Sequence, residues 1–320
     1  PDTLFMPQNP VMWQPSPERL QATAMHRFMQ ATGHEDYASL YRWSIEDSPA
    51  FWDALCAYCD VHFDTAPATL LARPDNIMHP GWFEGGQLNY AAHLLRHGGD
   101  REAVVFYGEN GVRRSLTFIE LRQQVAAIAA GLRAADVSKG DRVCGVLPNC
   151  PEAIIAMLAT SSIGATWSSC SPDFGINGVV DRFGQIEPKV LFAVNGYYYN
   201  GKTCDTRPTI EGVAAAVSSI ERVVTIRFAE DLDIDIAVDG AVTGDAFGED
   251  GAELEFVPVD FDHPLFIMFS SGTTGAPKCI VHGQGGTLLQ HLKEHVLHTD
   301  VGPDERLFYF TTCGWMMWNW

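Results

Sequence analysis

The chain is short of positive charge. Its 320 residues hold 21 Lys and Arg against 40 Asp and Glu, a formal net charge of −19. Such a surface repels nucleic-acid backbones and anionic membranes, so neither is an expected partner. An anionic substrate would need local cations, which puts weight on each Lys and Arg near a candidate site. No apolar run reaches about 18 residues, which excludes a membrane-spanning helix. There is no cleavable signal pattern, no internal repeat and no low-complexity tract. Eight cysteines lack regular spacing. Cys144, Cys170 and Cys279 lie in apolar segments and read as buried free thiols of a reducing, cytoplasmic compartment. Cys56 and Cys59 have CxxC spacing but sit in a helical pattern with no second pair, so helix packing is the expectation. Residues 229–262 contain no Lys or Arg and twelve acids. Asp231, Asp233 and Asp235 alternate there without the Gly and bidentate Glu of a calcium loop, so the stretch reads as a solvated surface insertion and no metal site is expected.

What is present suffices for one large or two ordinary domains, since 46% of residues are hydrophobic. Residues 1 to about 100 read as a small helical extension. Ser16-Pro17-Glu18 supplies an N-cap, a proline at N1 and an acid in the first turn. Ser48-Pro49 repeats the device, and a third helix is expected over 88–97. From about residue 101 the rhythm changes to strands alternating with helices. An Asn110-Gly111 hairpin turn and a Thr117…Glu120 capping box punctuate the first units. The strands over 142–147, 166–169, 189–194 and 222–226 are almost wholly apolar. That pattern predicts an α/β domain with a parallel sheet covered by helices on both faces.

The densest chemistry follows the apolar run Pro264–Met268. Ser270, Ser271, Gly272, Thr273, Thr274, Gly275 and Lys278 put four hydroxyls, two glycines and a lysine within nine residues. Glycines let backbone N–H groups turn toward an anion, hydroxyls add rotatable donors, and lysine adds mobile charge. This is a phosphate cradle by composition. It is not a Walker A loop, because Gly272 and Gly275 are separated by two residues and Pro277 precedes the lysine. Residues 278–282 read as a strand, so the loop joins two strands and no helix dipole serves it.

Two other motifs imitate known chemistry without its context. Asp173-Phe174-Gly175 matches a kinase triplet but has no Gly-rich nucleotide loop or His-Arg-Asp segment beside it. His291-Leu292-Lys293-Glu294-His295 fits an inverted zinc-protease pattern, yet the glycines before it and the phosphate loop upstream point elsewhere.

The run Phe269–Lys278 resembles the signature phosphate loop of the adenylate-forming superfamily, which includes acyl-CoA synthetases, peptide-synthetase adenylation domains and luciferases. Tyr41–Ser44 with Phe51-Trp52, and Gly81–Phe83 with Leu88-Asn89, resemble the N-terminal extension of its acetyl- and acetoacetyl-CoA synthetase branch. Pro148–Glu152, Trp167–Gly175 and Thr311–Trp320 resemble the acetoacetate-activating members. The resemblance implies an α/β fold of stacked, mostly parallel sheets covered by helices, with residues 1–100 as that small helical extension and 101–320 as the first part of an adenylation domain. It implies an ATP-dependent acid–thiol ligase using acetoacetate, Mg2+-ATP and coenzyme A through an acyl-adenylate. Lys278 and Thr274 would be catalytic, and Ser270–Gly275 with Lys278 would hold phosphates. Trp315, Met316 and Met317 would line the acyl pocket. A basic loop of the family that grips coenzyme A corresponds to Tyr199-Asn200-Gly201-Lys202. Its first arginine is a tyrosine here, so only Lys202 carries over. The family's adenine segment, ribose aspartate and C-terminal domain lysine have no counterpart. With Pro1 at one end and an apolar Trp315–Trp320 at the other, a fragment completed by a C-terminal domain in cis is expected. Another short acid such as acetate or propionate, or a non-catalytic nucleotide-binding module, remain alternatives.

Overall fold

The computed structural model describes residues 12–270 and 275–320. Contacts divide the chain into two compact units, Pro1–Asp60 with Leu289–Leu307, and Val61–Leu288 with Phe308–Trp320.

In the first unit, helices run over Pro17–Ala22, Ala24–Ala31, Tyr37–Glu46 and Ser48–Tyr58. Ser16 caps the first as its sequence predicts, accepting from Arg19 N. The fourth helix is capped one residue earlier than expected. Asp47 accepts from Ala50 N, while the Ser48 hydroxyl turns back to donate to the Ser44 carbonyl. A carboxylate outcompetes a hydroxyl for the positive end of a helix. The unit closes around Phe28, whose ring meets Phe51 and Tyr58 edge-on at 5.9 and 5.2 Å. Cys56 and Cys59 are buried beside it as free thiols. Burial pushes the Cys56 thiol up to about 12, which disfavours the reactive thiolate.

The second unit begins where the helical reading fails. After Asp60 the chain runs through short antiparallel pieces, Thr69–Leu71 with Trp82–Glu84 and Gln87–Leu88 with Val259–Asp260. Helix returns only at Tyr90–Leu94, capped by Asn89. Prolines 67, 74 and 80 and glycines 81, 85 and 86 break any helical run here. Strands Glu102–Tyr107 and Arg113–Thr117 then form the expected hairpin, with Gly111 at φ +81°. Both halves of the capping box are present. Glu120 N donates to Thr117 Oγ1 at 3.2 Å, and Thr117 N donates to the Glu120 carboxylate at 2.8 Å.

The centre is a seven-stranded sheet, its strands numbered here in chain order. They are β1 (Arg142–Val146), β2 (Thr166–Cys170), β3 (Val190–Val194), β4 (Arg222–Ile226), β5 (Val242–Thr243), β6 (Pro264–Ser270) and β7 (Lys278–Gly283). Their order is β5-β4-β3-β1-β2-β6-β7. Every neighbouring pair is parallel except the last, β6 with β7. Helices α1 (Phe118–Ala134) and α2 (Pro151–Ser162) cover one face, over Trp167 and Phe192. Helices α3 (Ile176–Phe183) and α4 (Arg207–Ala216) cover the other, where Val179, Phe183, Ile210 and Val213 pack on Cys144, Leu191 and Val223. These side chains are at most 1% exposed, and each buried Val, Leu or Phe contributes roughly 1.5–3 kcal/mol. Cys144 and Cys170 are buried as expected. Cys279 is exposed, because β7 is an edge strand with sheet on one side only.

Candidate active site

Strands β6 and β7 form the hairpin that the loop sequence implies. Ser270 pairs with Lys278, and Phe269 with Cys279. Ser271, Gly272, Thr273 and Thr274 lie outside the described residues. Gly275 sits at φ +113°, a conformation that a side chain would strain. Lys278 is exposed. It forms no ion pair with any described residue, so no carboxylate there competes for its charge.

The three runs singled out around residues 148–152, 167–175 and 311–320 converge at the carboxyl ends of β1 and β2, where α/β sheets gather ligands. Ser169 Oγ donates to the Cys313 carbonyl at 2.7 Å. Cys313 Sγ donates to the Pro148 carbonyl at 3.3 Å, and Trp318 Nε1 donates to Asn149 Oδ1 at 3.1 Å. Gly314 lies against the Ser171–Gly175 turn so tightly that a Cβ there would stand 2.9 Å from Phe174 Cζ and 3.0 Å from Ser171 N. Only glycine fits that approach. Just beyond it, Trp315 caps a short helix, Met316–Asn319. Trp315, Met316 and Met317 are 67%, 37% and 41% exposed, so in this chain they face open space and do not fill the core.

Phe174 ties this region to the phosphate hairpin. The Arg182 guanidinium of α3 lies 4.7 Å from the Phe174 ring centre and 5.9 Å from that of Phe269. Arg182, absent from the sequence expectations, thus bridges the end of β6 and the turn after β2. An arginine in a helical run gives no signal of this until the two rings are placed.

Lys202 stands on a separate hairpin, Gly196–Tyr199 with Lys202–Asp205, turned by Asn200 and Gly201 at φ +51° and +71°. Tyr198 and Thr203 are cross-strand partners on one face, and both donate to the Asp231 carboxylate, at 3.3 and 2.6 Å. The Thr203 bond leads in holding the Asp231 carboxyl below its ordinary range. By alternation Lys202 and Tyr199 point to the opposite face. The hairpin adjoins the Asp173 turn. Burial, with Cys204 and Asp173 beside it, pushes the Tyr197 phenol up to about 12.

His291 and His295 stand with ring centres 6.1 Å apart. Among the described residues no three His, Cys, Asp or Glu side chains gather as a metal site. No helix of the described residues is long and apolar enough to cross a membrane.

A mostly parallel sheet with a glycine- and hydroxyl-rich hairpin at its edge places the chain among nucleotide-handling α/β proteins. It belongs to the AMP-binding enzyme family, whose pattern matches residues 91–319; residues 37–94 match the acetyl-coenzyme A synthetase N-terminus. The chain is 44% identical to an acetoacetyl-CoA synthetase of Macaca fascicularis, over 97% of this chain and 48% of that protein. It is equally similar to an acetoacetyl-coenzyme A synthetase of Rhizobium meliloti, with the same coverage. The solved acetoacetyl-CoA synthetase from Streptomyces lividans superposes with a TM-score of 0.90 at 44% identity, over 96% of this chain and 48% of that one. The chain spans about half the length of the curated relatives it matches.

Proposed function

We propose that this chain supplies the phosphate loop and acyl side of an AMP-forming acetoacetate–CoA ligase. The observation that carries the reading is the convergence just described. The β6–β7 hairpin, the Phe174 turn and the Gly314–Met317 segment meet through Arg182 and Gly314 at one end of a parallel sheet. In the first step the acetoacetate carboxylate attacks the α-phosphorus of ATP, giving acyl-adenylate and pyrophosphate. In the second the coenzyme A thiol displaces AMP. Ser270, Ser271, Gly272, Thr273, Thr274 and Gly275 would hold the β- and γ-phosphates, and Lys278 would offset charge on the departing pyrophosphate. The chain gathers no acidic cage of its own among the described residues. Mg2+ would therefore enter on the triphosphate oxygens as part of the substrate, which suits its preference for phosphate and water. We keep the division into an extension over 1–100 and an adenylation portion over 101–320 as part of this reading. A C-terminal domain and a cytoplasmic setting also belong to it.

Acid-dependent ATP–pyrophosphate exchange by the intact enzyme tests the proposal. The acyl side makes the test specific. Met316 is unbranched, adaptable and open to space, so it can admit a four-carbon acid. Met316→Trp should shrink the pocket and raise the acetate-to-acetoacetate ratio of kcat/KM by roughly tenfold, since one methylene in an apolar pocket is worth about 1–3 kcal/mol. An unchanged ratio with a lowered Tm would make the methionine a packing residue and remove the pocket assignment.

Lys202 would meet the 3′-phosphate of coenzyme A. Lys202→Ala is expected to raise KM for coenzyme A by about fivefold, the upper range for an exposed ion pair. KM for dephospho-coenzyme A should stay unchanged. Equal effects on both thiols reject the contact.

A further inference from the structure

Lys278 needs a fixed origin, because its side chain is a flexible four-carbon stem and charge stabilisation depends on placement. The sheet alone supplies little. β7 is an edge strand, and Lys278 is its first paired residue, directly after the loop. Pro277 before it has no N–H to contribute to a ladder.

The missing support comes from Gln185, just past the end of α3. Its Nε2 donates to the Pro277 carbonyl at 2.9 Å and to the Asp181 carbonyl at 2.6 Å. Its Oε1 accepts from Cys279 Sγ at 3.7 Å. One amide therefore grips the residues on either side of Lys278. Strand alternation then fixes where the lysine goes. Phe269, the partner of Cys279, packs on the α3–α4 side of the sheet, so Cys279 shares that side. Lys278 and its partner Ser270 face the other way. The clamp is itself anchored, because Val179 and Phe183 of α3 are fully buried and Arg182 is stacked between Phe174 and Phe269.

We infer that Gln185 is the positioning residue for Lys278, holding the Pro277 carbonyl before it and the Cys279 thiol after it so that the ammonium is presented on the Ser270 face. This rests on the ligase reading above. Gln185 touches no substrate; it acts through Lys278 alone.

The test is a double-mutant cycle on ATP–pyrophosphate exchange by the intact enzyme. Gln185→Met keeps the shape and loses all three hydrogen bonds, and Gln185→Ala is the second variant if the first fails to fold. Either should lower kcat by roughly tenfold, the scale on which a misplaced catalytic group is felt, with KM for the acid unchanged. In a Lys278→Ala background, assayed at raised enzyme concentration, the same Gln185 change should cost less than about twofold, because the group it positions is gone. A Gln185 variant within twofold of wild type overturns the inference. So does a full tenfold loss repeated in the Lys278 background, which is the mark of a general structural role. Absence of exchange in the unmutated enzyme overturns the ligase reading and this inference together, whereas a Lys278→Ala variant at the wild-type rate removes the phosphate-cradle assignment and this inference but leaves the ligase reading standing. Both outcomes are distinct from failure of the Gln185 arm alone.

Discussion

Replacing Lys278 by alanine lowers the rate of ATP–pyrophosphate exchange by one to three orders of magnitude, as expected for loss of one preorganised charge aimed at a departing anion. The chain carries a formal charge of −19, so its general field repels a triphosphate and local cations must reverse that. Lys278 is exposed, opens β7 opposite Ser270 and forms no ion pair with a described residue. Its charge is therefore free for phosphate. Neighbouring hydroxyls can donate hydrogen bonds but cannot neutralise pyrophosphate, so they do not compensate. Thr274→Ala is expected to act in the same direction through one lost donor. Lys278→Arg should recover part of the rate, because the charge persists while the ammonium's compact geometry does not. Near-normal exchange in Lys278→Ala would remove the phosphate-cradle assignment.

Much of this arrangement was legible in the residues because it is written in local rules. The capping box at Thr117 and the Asn-Gly hairpin depend on neighbours within a few positions. The apolar runs of β1 to β4 and β6 announce a buried parallel sheet whatever packs on them. The strand–loop–strand reading of 264–283 followed from Pro277 and the β-branched run after it, and the β6–β7 hairpin agrees. Legibility failed where the deciding partner is distant in sequence. Gln185 lies 92 positions from Pro277, and no spacing rule connects them. Phe174 looked like part of a kinase triplet, and its work is to seat Gly314 and Arg182. Cys279 looked buried because its strand is apolar, but burial also requires a strand on each side. Residues 61–88 fell inside a helical reading carried by the Ser-Pro caps upstream, while their own prolines and glycines impose turns.

The acidic insertion gives the sharpest instance, and the second large expected effect. Residues 229–262 read as a solvated appendage, yet the first turn of that segment is built around Asn195, which is wholly buried at the end of β3. Its Nδ2 lies within hydrogen-bond reach of the carbonyls of Ala229, Leu232 and Asp233, at 2.8, 3.1 and 3.3 Å. Its Oδ1 accepts from the N–H groups of Phe228 and Ala229 at 2.9 and 3.0 Å. One side chain thus satisfies backbone groups that lack a ladder partner. The Ala229 carbonyl also accepts from Leu232 N, and the Leu232 carbonyl from Arg227. Asn195→Ala therefore strands chiefly the Asp233 carbonyl and the Phe228 and Ala229 N–H groups, and each buried polar group left unsatisfied costs about 1–3 kcal/mol. Local opening to water limits the sum, so a loss of about 3 kcal/mol is expected. That corresponds to a Tm lower by roughly 6–12 °C for a unit of this size. Because Asp231 lies in the same turn and holds Tyr198 and Thr203, the Lys202 hairpin should loosen with it, and proteolysis near residues 228–235 should accelerate. Asn195→Asp separates hydrogen bonding from volume. The aspartate is nearly isosteric and keeps the acceptor for Phe228 and Ala229, but its carboxylate has no N–H for the three carbonyls. It should therefore be destabilised about as much as alanine. A thermal melt in which Asn195→Asp matches wild type would show that the three carbonyls are satisfied without the amide, and the turn would have to owe its shape to something other than Asn195.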